Sequence, residues 1–391
     1  MITSTNKTSL ALIKEVTAGT TPATPAFQVL PTLSGGPQGN LSTAMSEAIN
    51  DSRSVSDLIV VDSEVSGSVN FELSYDPYVQ IFESLMQSTI STEIISASDL
   101  SIATSDGLTG TIDTVAEDFV ASNLDVDQHI KMLGFTNSTN NGIYRITAIA
   151  TTSLSVTAVT TVMVTEAAGA AIVLYGNMIR NGTENPDSFT FVKRILGLTD
   201  TAYMYYPGCQ ISSVALSFEV GSILKGSFDI VGLTEEVTEI AKTGQSFVDV
   251  PDYSLMNSVT SVAALLVEGL PADTEFSSFN LTYNNNINRA KAIGTLGSVS
   301  LASFTLEAKA SVSVYFEDTT TYNYYANSTE FAVTLVTRDV DNNYYVFRFP
   351  KCKFESLDSL VPGMDNFYML NGSLVALQDE TLGYTMQVDM I

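Results

Sequence analysis

From Val65 to Tyr75 the chain alternates with a period of two. Val65, Val69, Phe71, Leu73 and Tyr75 are apolar, while Ser66, Ser68, Asn70, Glu72 and Ser74 are polar. In an extended strand successive side chains point to opposite faces, so this pattern makes one apolar face and one wet face. A helix would scatter both sets around its circumference. The same period recurs in SFTFVKRIL, SFNLTY, SFTLEAKASVSVYF, EFAVTLVTRD, NYYVFRFPKCKF and the closing GYTMQVDM. It is clearest in the hairpin ISSVALSFEVGSILKGSFDIVG, where polar Ser217, Glu219, Ser227 and Asp229 alternate with apolar Leu216, Phe218, Phe228 and Ile230. Many short alternating runs rich in Val, Ile, Thr and Ser predict a mainly β protein, folded as a sandwich or open barrel.

One segment breaks the period. In DPYVQIFESLMQS, Asp76 suits an N-cap and Pro77 the first helical position, and Tyr78, Ile81, Phe82, Leu85 and Met86 share one helical face. A single amphipathic helix of this kind covers one open side of a sheet. Residues 1–40 are rich in Thr, Pro and Gly and read as an extended N-terminal arm, and Ala44 to Val61 as a connector into the first strand. Residues 96–175 change character, with short strands GIYRITAIA and SLSVTAV around the turn NSTNNG, and predict a small inserted β domain. The expected division is an arm over 1–40, a β domain over 41–95, the insertion over 96–175 and the rest of the β domain over 176–391.

From Ser54 through Ile130 the chain carries fourteen Asp and Glu residues and no Lys or Arg, and its formal net charge is −26. Only 15% of residues are charged, so most of the polar surface is Ser, Thr, Asn and Gln. Such a surface repels phosphate, because nucleic-acid binding rests on Lys and Arg displacing counterions. Groove-tracking DNA binders are thereby excluded, whereas a surface past which DNA slides without sticking would have this composition. Cys209 and Cys352 are the only cysteines and form no disulfide framework or zinc cluster. They read as free, buried thiols of a chain made in a reducing cytoplasm. The start, MITSTNKTSLALIKEVTAGT, lacks the apolar stretch of a signal peptide. No run approaches the roughly 20 apolar residues of a membrane helix. Neither export nor membrane anchoring is expected.

Candidate chemistry is sparse. Asp125, Asp127 and His129, in LDVDQHI, occupy alternate positions of one strand, which rises too straight for three ligands to converge on a metal. A solvated strand face is expected there. His129 is the only histidine, and G-x-S-x-G, P-loop and dinucleotide fingerprints are absent from the sequence. Asp339 and Asp341, in RDVDNNYYVF, lack the glycine and distal glutamate of an EF-hand loop and read as a hairpin turn. The reading is of a protein with no catalytic residue, no metal and no cofactor.

Three blocks, in order, resemble the major tail tube protein of long-tailed bacteriophages. They are SRSVSDLIVVDSEVSGSVNFELSYDPYVQIFESLMQST, RNGTENPDSFTFVKRILGLTDTAYMYYPGCQISSVALSFEVGSILKGSFDIVG and YVFRFPKCKFESLDSLVPGMDNFYMLNGSLVALQDETLGYTMQVDMI. The resemblance implies a sandwich-like subunit with a flanking helix, assembling as six-membered rings that stack into a hollow tube. It implies as partners further copies of the chain and the tape-measure, terminator and baseplate or tip proteins. It places the protein in the virion tail, assembled in the host cytoplasm, with DNA passing through without specific binding. Ser66, Ser68, Asn70, Glu72, Ser217, Glu219, Ser227 and Asp229 are then the candidates for the face that looks into the bore. Residues 96–175 depart from the pattern and resemble the small β insertions that tail subunits carry outward. Two alternatives stay open: another virion subunit (baseplate, decoration or tail-terminator protein), or an Ig-like adhesion module that would need an export route.

Overall fold

The structure is a computed structural model that describes residues 4–47, 54–169, 171–184, 186–250, 253–270, 274–359, 361 and 364–391. Five strands precede the first helix: β1 (Thr8–Lys14), β2 (Ala26–Leu30), β3 (Ser34–Gly35), β4 (Gln38–Met45) and β5 (Leu58–Glu72), then α1 (Val79–Met86). Seven short strands follow: β6 (Ile94–Ala97), β7 (Ser101–Thr104), β8 (Thr109–Asp113), β9 (His129–Leu133), β10 (Ile143–Ala150), β11 (Ser153–Ala158) and β12 (Ile172–Tyr175). Next come β13 (Met178–Arg180), β14 (Phe189–Ile195), β15 (Ala202–Glu219), β16 (Lys225–Gly232), β17 (Glu236–Thr238) and β18 (Ser246–Val248). After β19 (Val262–Val267) and β20 (Phe276–Asn284), a hairpin of β21 (Asn288–Lys291) and β22 (Ser298–Ala302) leads to β23 (Glu307–Tyr315) and α2 (Thr320–Ala326). The last strands are β24 (Phe331–Arg338), β25 (Tyr344–Asp358), β26 (Met369–Ala376) and β27 (Gln387–Met390).

The protein is mainly β, and its largest sheet curls around one core. Strands β4, β5, β16, β15, β20, β23, β26 and β25 lie side by side in that order, all antiparallel. β25 turns the corner: residues 345–348 pair with β27, while residues 352–358 pair with β26. Through β24 the sheet continues to β19, and through β27 to β13. The curl brings Phe71, Leu216, Phe228 and Phe279 of one layer against Leu335, Phe347, Phe349 and Val388 of the other. Helix α1 closes one side, with Tyr78, Ile81, Phe82, Leu85 and Met86 all buried in this core. Phe82 meets Tyr345 and Phe347 with ring centroids 5.6 and 6.2 Å apart.

Asp76 does not cap α1. It adopts φ +82 and lies before the helix, which starts at Val79 after Tyr78 with no side-chain cap bond. The left-handed residue turns the chain out of β5, and its carbonyl, not its carboxylate, accepts from the Val79 amide at 3.2 Å. A second helix, α2, was not expected from TTYNYYA, since Thr, Tyr and Asn are modest helix formers. Tertiary packing holds it: Tyr324 lies 5.7 Å from the Phe331 ring, and Tyr325 packs on Val314, Leu357 and Leu370.

Residues 4–40 do not form an extended arm. β1 pairs along its whole length with β14, and Leu10, Leu12 and Leu30 enter the main core. The alternation in TSLALIK is a strand signal, and the Thr/Pro/Gly run after it supplies only the loop to β2. Glu15 seals that loop. Its buried carboxylate accepts from the Ser188 and Thr190 hydroxyls at 2.6 Å each and from the Gly19 and Gly208 amides at 2.7 and 3.0 Å. The expected connector over 44–61 is paired at both ends, by β4 and β5; its middle, residues 48–53, lies outside the described residues.

All seven strands between Ile94 and Tyr175 form a separate sheet in the order β6-β12-β9-β10-β11-β8-β7. It encloses its own core, including Ile102, Phe119, Met132, Tyr144 and Leu174. Ile94 pairs with Tyr175, and Ser91 bridges to Met178, so the chain enters and leaves this unit on neighbouring strands.

Candidate functional site

The two polar faces named from sequence meet on one surface. β16 lies between β5 and β15, and its register sets Asn70 beside Ser227 and Ser68 beside Asp229. β15 then sets Ser213 beside Asp229 and Ser217 beside Asn280 of β20. Ser66, Glu72, Ser217 and Ser227 are half-buried among these neighbours, and Ser68, Asn70, Glu219 and Asp229 are exposed. Hydrogen bonds link them across strands: Ser213 Oγ donates to Asp229 at 2.6 Å, Ser217 Oγ to Asn280 at 2.6 Å, and Asn70 Nδ2 to Ser34 Oγ at 3.0 Å. Ser74 does not belong to this face; it is fully buried where the chain leaves β5.

The surface is wider than sequence reasoning reached. Asn280 pairs with Ser311 of β23, which pairs with Ser373 of β26, and Ser278 leads through Ser313 to Asn371. The signal was present, since Asn280 and Thr282 alternate with Phe279, Leu281 and Tyr283. Period two marks each strand's wet face but not which strands share a sheet. The surface is also not purely acidic. Lys225 sits beside Glu72 in register, Lys309 pairs with Glu355 at 3.5 Å, and Lys351 and Lys353 both reach Glu330 at 3.2 Å. Three of these four lysines are thus ion-paired, sharing two carboxylates between them.

The opposite side of the core carries the inserted sheet. On β25, Tyr345, Phe347 and Phe349 face the main core, while Tyr344 and Val346 pack with Ile143 of the insert, Val336 and Ile391. Alternation within β25 therefore puts the insert and the polar surface on opposite sides of the core. Asp127 and His129 are not a solvated strand face; both are buried in this junction. Asp127, at φ +70, accepts from Arg145 at 2.7 Å, from Arg348 Nε at 3.1 Å and from the Tyr384 hydroxyl at 2.6 Å. Burial alone would raise its carboxyl, but Arg348, Tyr384 and Arg145 hold it down at about 2. His129 Nδ1 lies 2.7 Å from Asp389, whose carboxyl burial pushes up. Asp125 stays exposed and pairs with Arg180 at 3.1 Å. Sequence spacing could not find this network, because Arg348, Tyr384 and Asp389 lie more than 200 residues away.

Asp339 and Asp341 lie in the turn between β24 and β25, where Asp339 accepts from the Asp341 and Asn343 amides at 2.8 Å each. Among the described residues no group of His, Cys, Asp and Glu is placed to hold a metal ion, and no helix is long and apolar enough to cross a membrane. Both cysteines are free and buried, and burial pushes the Cys352 thiol up to about 12.

The profile of the family described as phage tail tube protein matches residues 5–366, nearly the whole chain. The chain belongs to this family. No curated protein shows significant similarity to it. As a tail tube protein it is a structural, non-enzymatic component of the virion tail, of a kind that assembles with its own copies and with other tail proteins. The match runs through residues 94–175, so the inserted sheet lies inside the matched span rather than beyond it.

Proposed function

We propose that this tail tube protein forms six-membered rings that stack into a hollow tube, with the polar surface of β5, β16, β15, β20, β23 and β26 lining the bore. The genome passes along that bore during ejection, and the tube meets tape-measure, terminator and baseplate or tip proteins at assembly in the host cytoplasm. Residues 96–175 form an outward domain on a tube body built from 41–95 and 176–391 together with β1 and β2, which belong to the same core.

One observation carries the reading: a broad polar surface and an inserted domain lie on opposite sides of a single core. A tube wall needs that polarity, with a smooth inner side and room for elaboration outside. Ser, Thr and Asn hold water, and the carboxylates repel phosphate. Lysines pre-paired with Glu330 and Glu355 have most of their charge offset before DNA arrives. At physiological salt the field of a surface charge reaches about 8 Å, enough to act on DNA in a narrow bore.

Negative-stain images of the purified chain should show rings and hollow tubes. The lining is tested by Glu219→Lys, an exposed position opposite Ser278. Glu72→Lys is a less clean probe, because it sets two lysines side by side with Lys225, at a cost of about 0.2–1 kcal/mol. Tails carrying Glu219→Lys should assemble but deliver DNA slowly at low salt, recovering as salt rises. Normal delivery at low salt would place Glu219 away from the bore.

A further inference from the structure

Where the insert meets the body, the two enclose an open cleft of about 810 Å³. That volume lies within the roughly 300–1,000 Å³ of small-molecule sites. Both units build it. The insert supplies Lys131 of β9 and Thr160 after β11, while Arg338, Asp341 and Asn342 come from the end of β24 and the turn to β25, where Tyr344 begins. The junction's other cations are answered from within: Arg348 and Arg145 meet Asp127, and Arg180 meets Asp125. Lys131 and Arg338 form no ion pair among the described residues.

Lys131 is buried, with 8% of its surface exposed. It donates one N–H to the Asn342 carbonyl at 2.5 Å, and its ammonium lies 5.6 and 5.5 Å from the centroids of the Tyr175 and Tyr344 rings. Ring faces offset part of the cost of burying a cation, but they bring no countercharge. Burial pushes the ammonium's pKa down; Asp339 acts the other way, but its carboxylate is engaged by the turn amides of Asp341 and Asn343. Arg338 stands directly opposite Tyr344 in the β24–β25 register, which sets their Cβ atoms about 5 Å apart on the face that meets the insert. Its exposed guanidinium and the Lys131 ammonium therefore open into the same cleft.

We propose that this cleft binds a small anionic molecule, one carboxylate or phosphate group on a hydroxyl-bearing body, as in a sugar acid or sugar phosphate. The Arg338 fork can hold an oxyanion through two parallel N–H bonds, and Lys131 adds a second positive charge. Thr160 Oγ1 accepts from the Ile143 amide at 3.2 Å, which leaves its O–H to donate to the ligand. Asp341 sets the limit on charge. Its exposed carboxylate lines the same cleft and accepts only from the Ser254 hydroxyl at 3.4 Å, so it repels a second anionic group and can accept from a ligand hydroxyl. A ligand held by Lys131 on one side and Arg338 on the other fastens the insert to the body. The site belongs to the single chain and does not depend on the tube.

The test titrates glucose 6-phosphate, glucuronate and neutral glucose into the full chain by calorimetry at low salt. At least one of the two anions should bind with a Kd of about 1 mM or below, glucose should give no binding heat, and affinity should fall as salt rises. Whichever anion binds more tightly identifies the preferred acid group. Arg338→Gln, at an exposed position that leaves the fold intact, should weaken binding about tenfold, the loss expected for one charged hydrogen bond. Arg338→Lys should recover part of it, and Lys225→Gln, on the polar surface, should change nothing. The proposal is overturned if neither anion binds by about 10 mM, if glucose binds as tightly as its phosphate, or if Arg338→Gln binds as the parent chain does.

Discussion

At Asp127 one carboxylate joins Arg145 of the insert to Arg348 and Tyr384 of the body, and every partner is at hydrogen-bond distance. Its carboxyl is held at about 2, below the ordinary 3.8. A lowered folded-state value stabilises the protein fully above the ordinary value, and that contribution is lost as pH falls through about 4 toward 2. The difference corresponds to about 2 kcal/mol. Asp389 works the other way, since burial raises its carboxyl and the folded state takes up its proton more readily. Asp127→Asn should therefore shrink the loss of stability between pH 7 and pH 3 by about 1 kcal/mol, the part of that contribution already gone at pH 3, while lowering stability at pH 7. Chemical denaturation at the two pH values measures both. An unchanged acid limb would assign the pH dependence to other carboxylates.

At the scale of elements, the insert has the geometry of a removable unit with one sticky face. Its first and last strands are neighbours, about 5 Å apart, so a short Gly/Ser bridge can replace residues 94–175. Removing it returns Arg348 and Asp389 to water, which relieves their burial, but it also bares Val336, Tyr344, Val346 and Ile391. The deleted chain should unfold cooperatively yet associate further than the intact chain through that strip, and Val346→Lys should return its light scattering to that of the intact chain. Circular dichroism and light scattering read the two effects. Loss of the folded body in both deletion variants would make the insert part of the core. The N-terminal strands have no such independence, because β1 is held by β14 and β2 and contributes Leu10 and Leu12 to the core.

For the whole molecule, the decisive relation is between sides: polar surface, core, second layer, insert. Glu330 matters at this scale because it holds two lysines, Lys351 and Lys353. In a ring of six, Glu330→Gln would free twelve cations facing the bore in every ring of the proposed tube. Tubes should still form, since the pairs lie at the surface, where each contributes under about 1 kcal/mol. Net charge rises by one per subunit, against two for Glu219→Lys, so DNA transit should slow at low salt, but less than with Glu219→Lys. Normal transit at low salt would remove this surface from the bore.

The sequence by itself determined the class and the wet faces. Period-two alternation shows which side of β5, β15 and β16 meets water, because side-chain direction in a strand is a local property. The apolar face of α1 was legible for the same reason, with a period of 3.6. The order of strands in the sheet was not legible, since pairing joins residues far apart, such as Asn280 with Ser311 and Ser373. Nor was the docking of β1 and β2 into the body, where the Pro- and Gly-rich run hid the short TSLALIK strand and suggested an arm. The fate of Asp127 and His129 also waited on the fold. In sequence they are acid and imidazole on alternate positions; only the approach of β25 and β27 turns them inward, because burial of a charge becomes tolerable where a partner such as Arg348 is already in place.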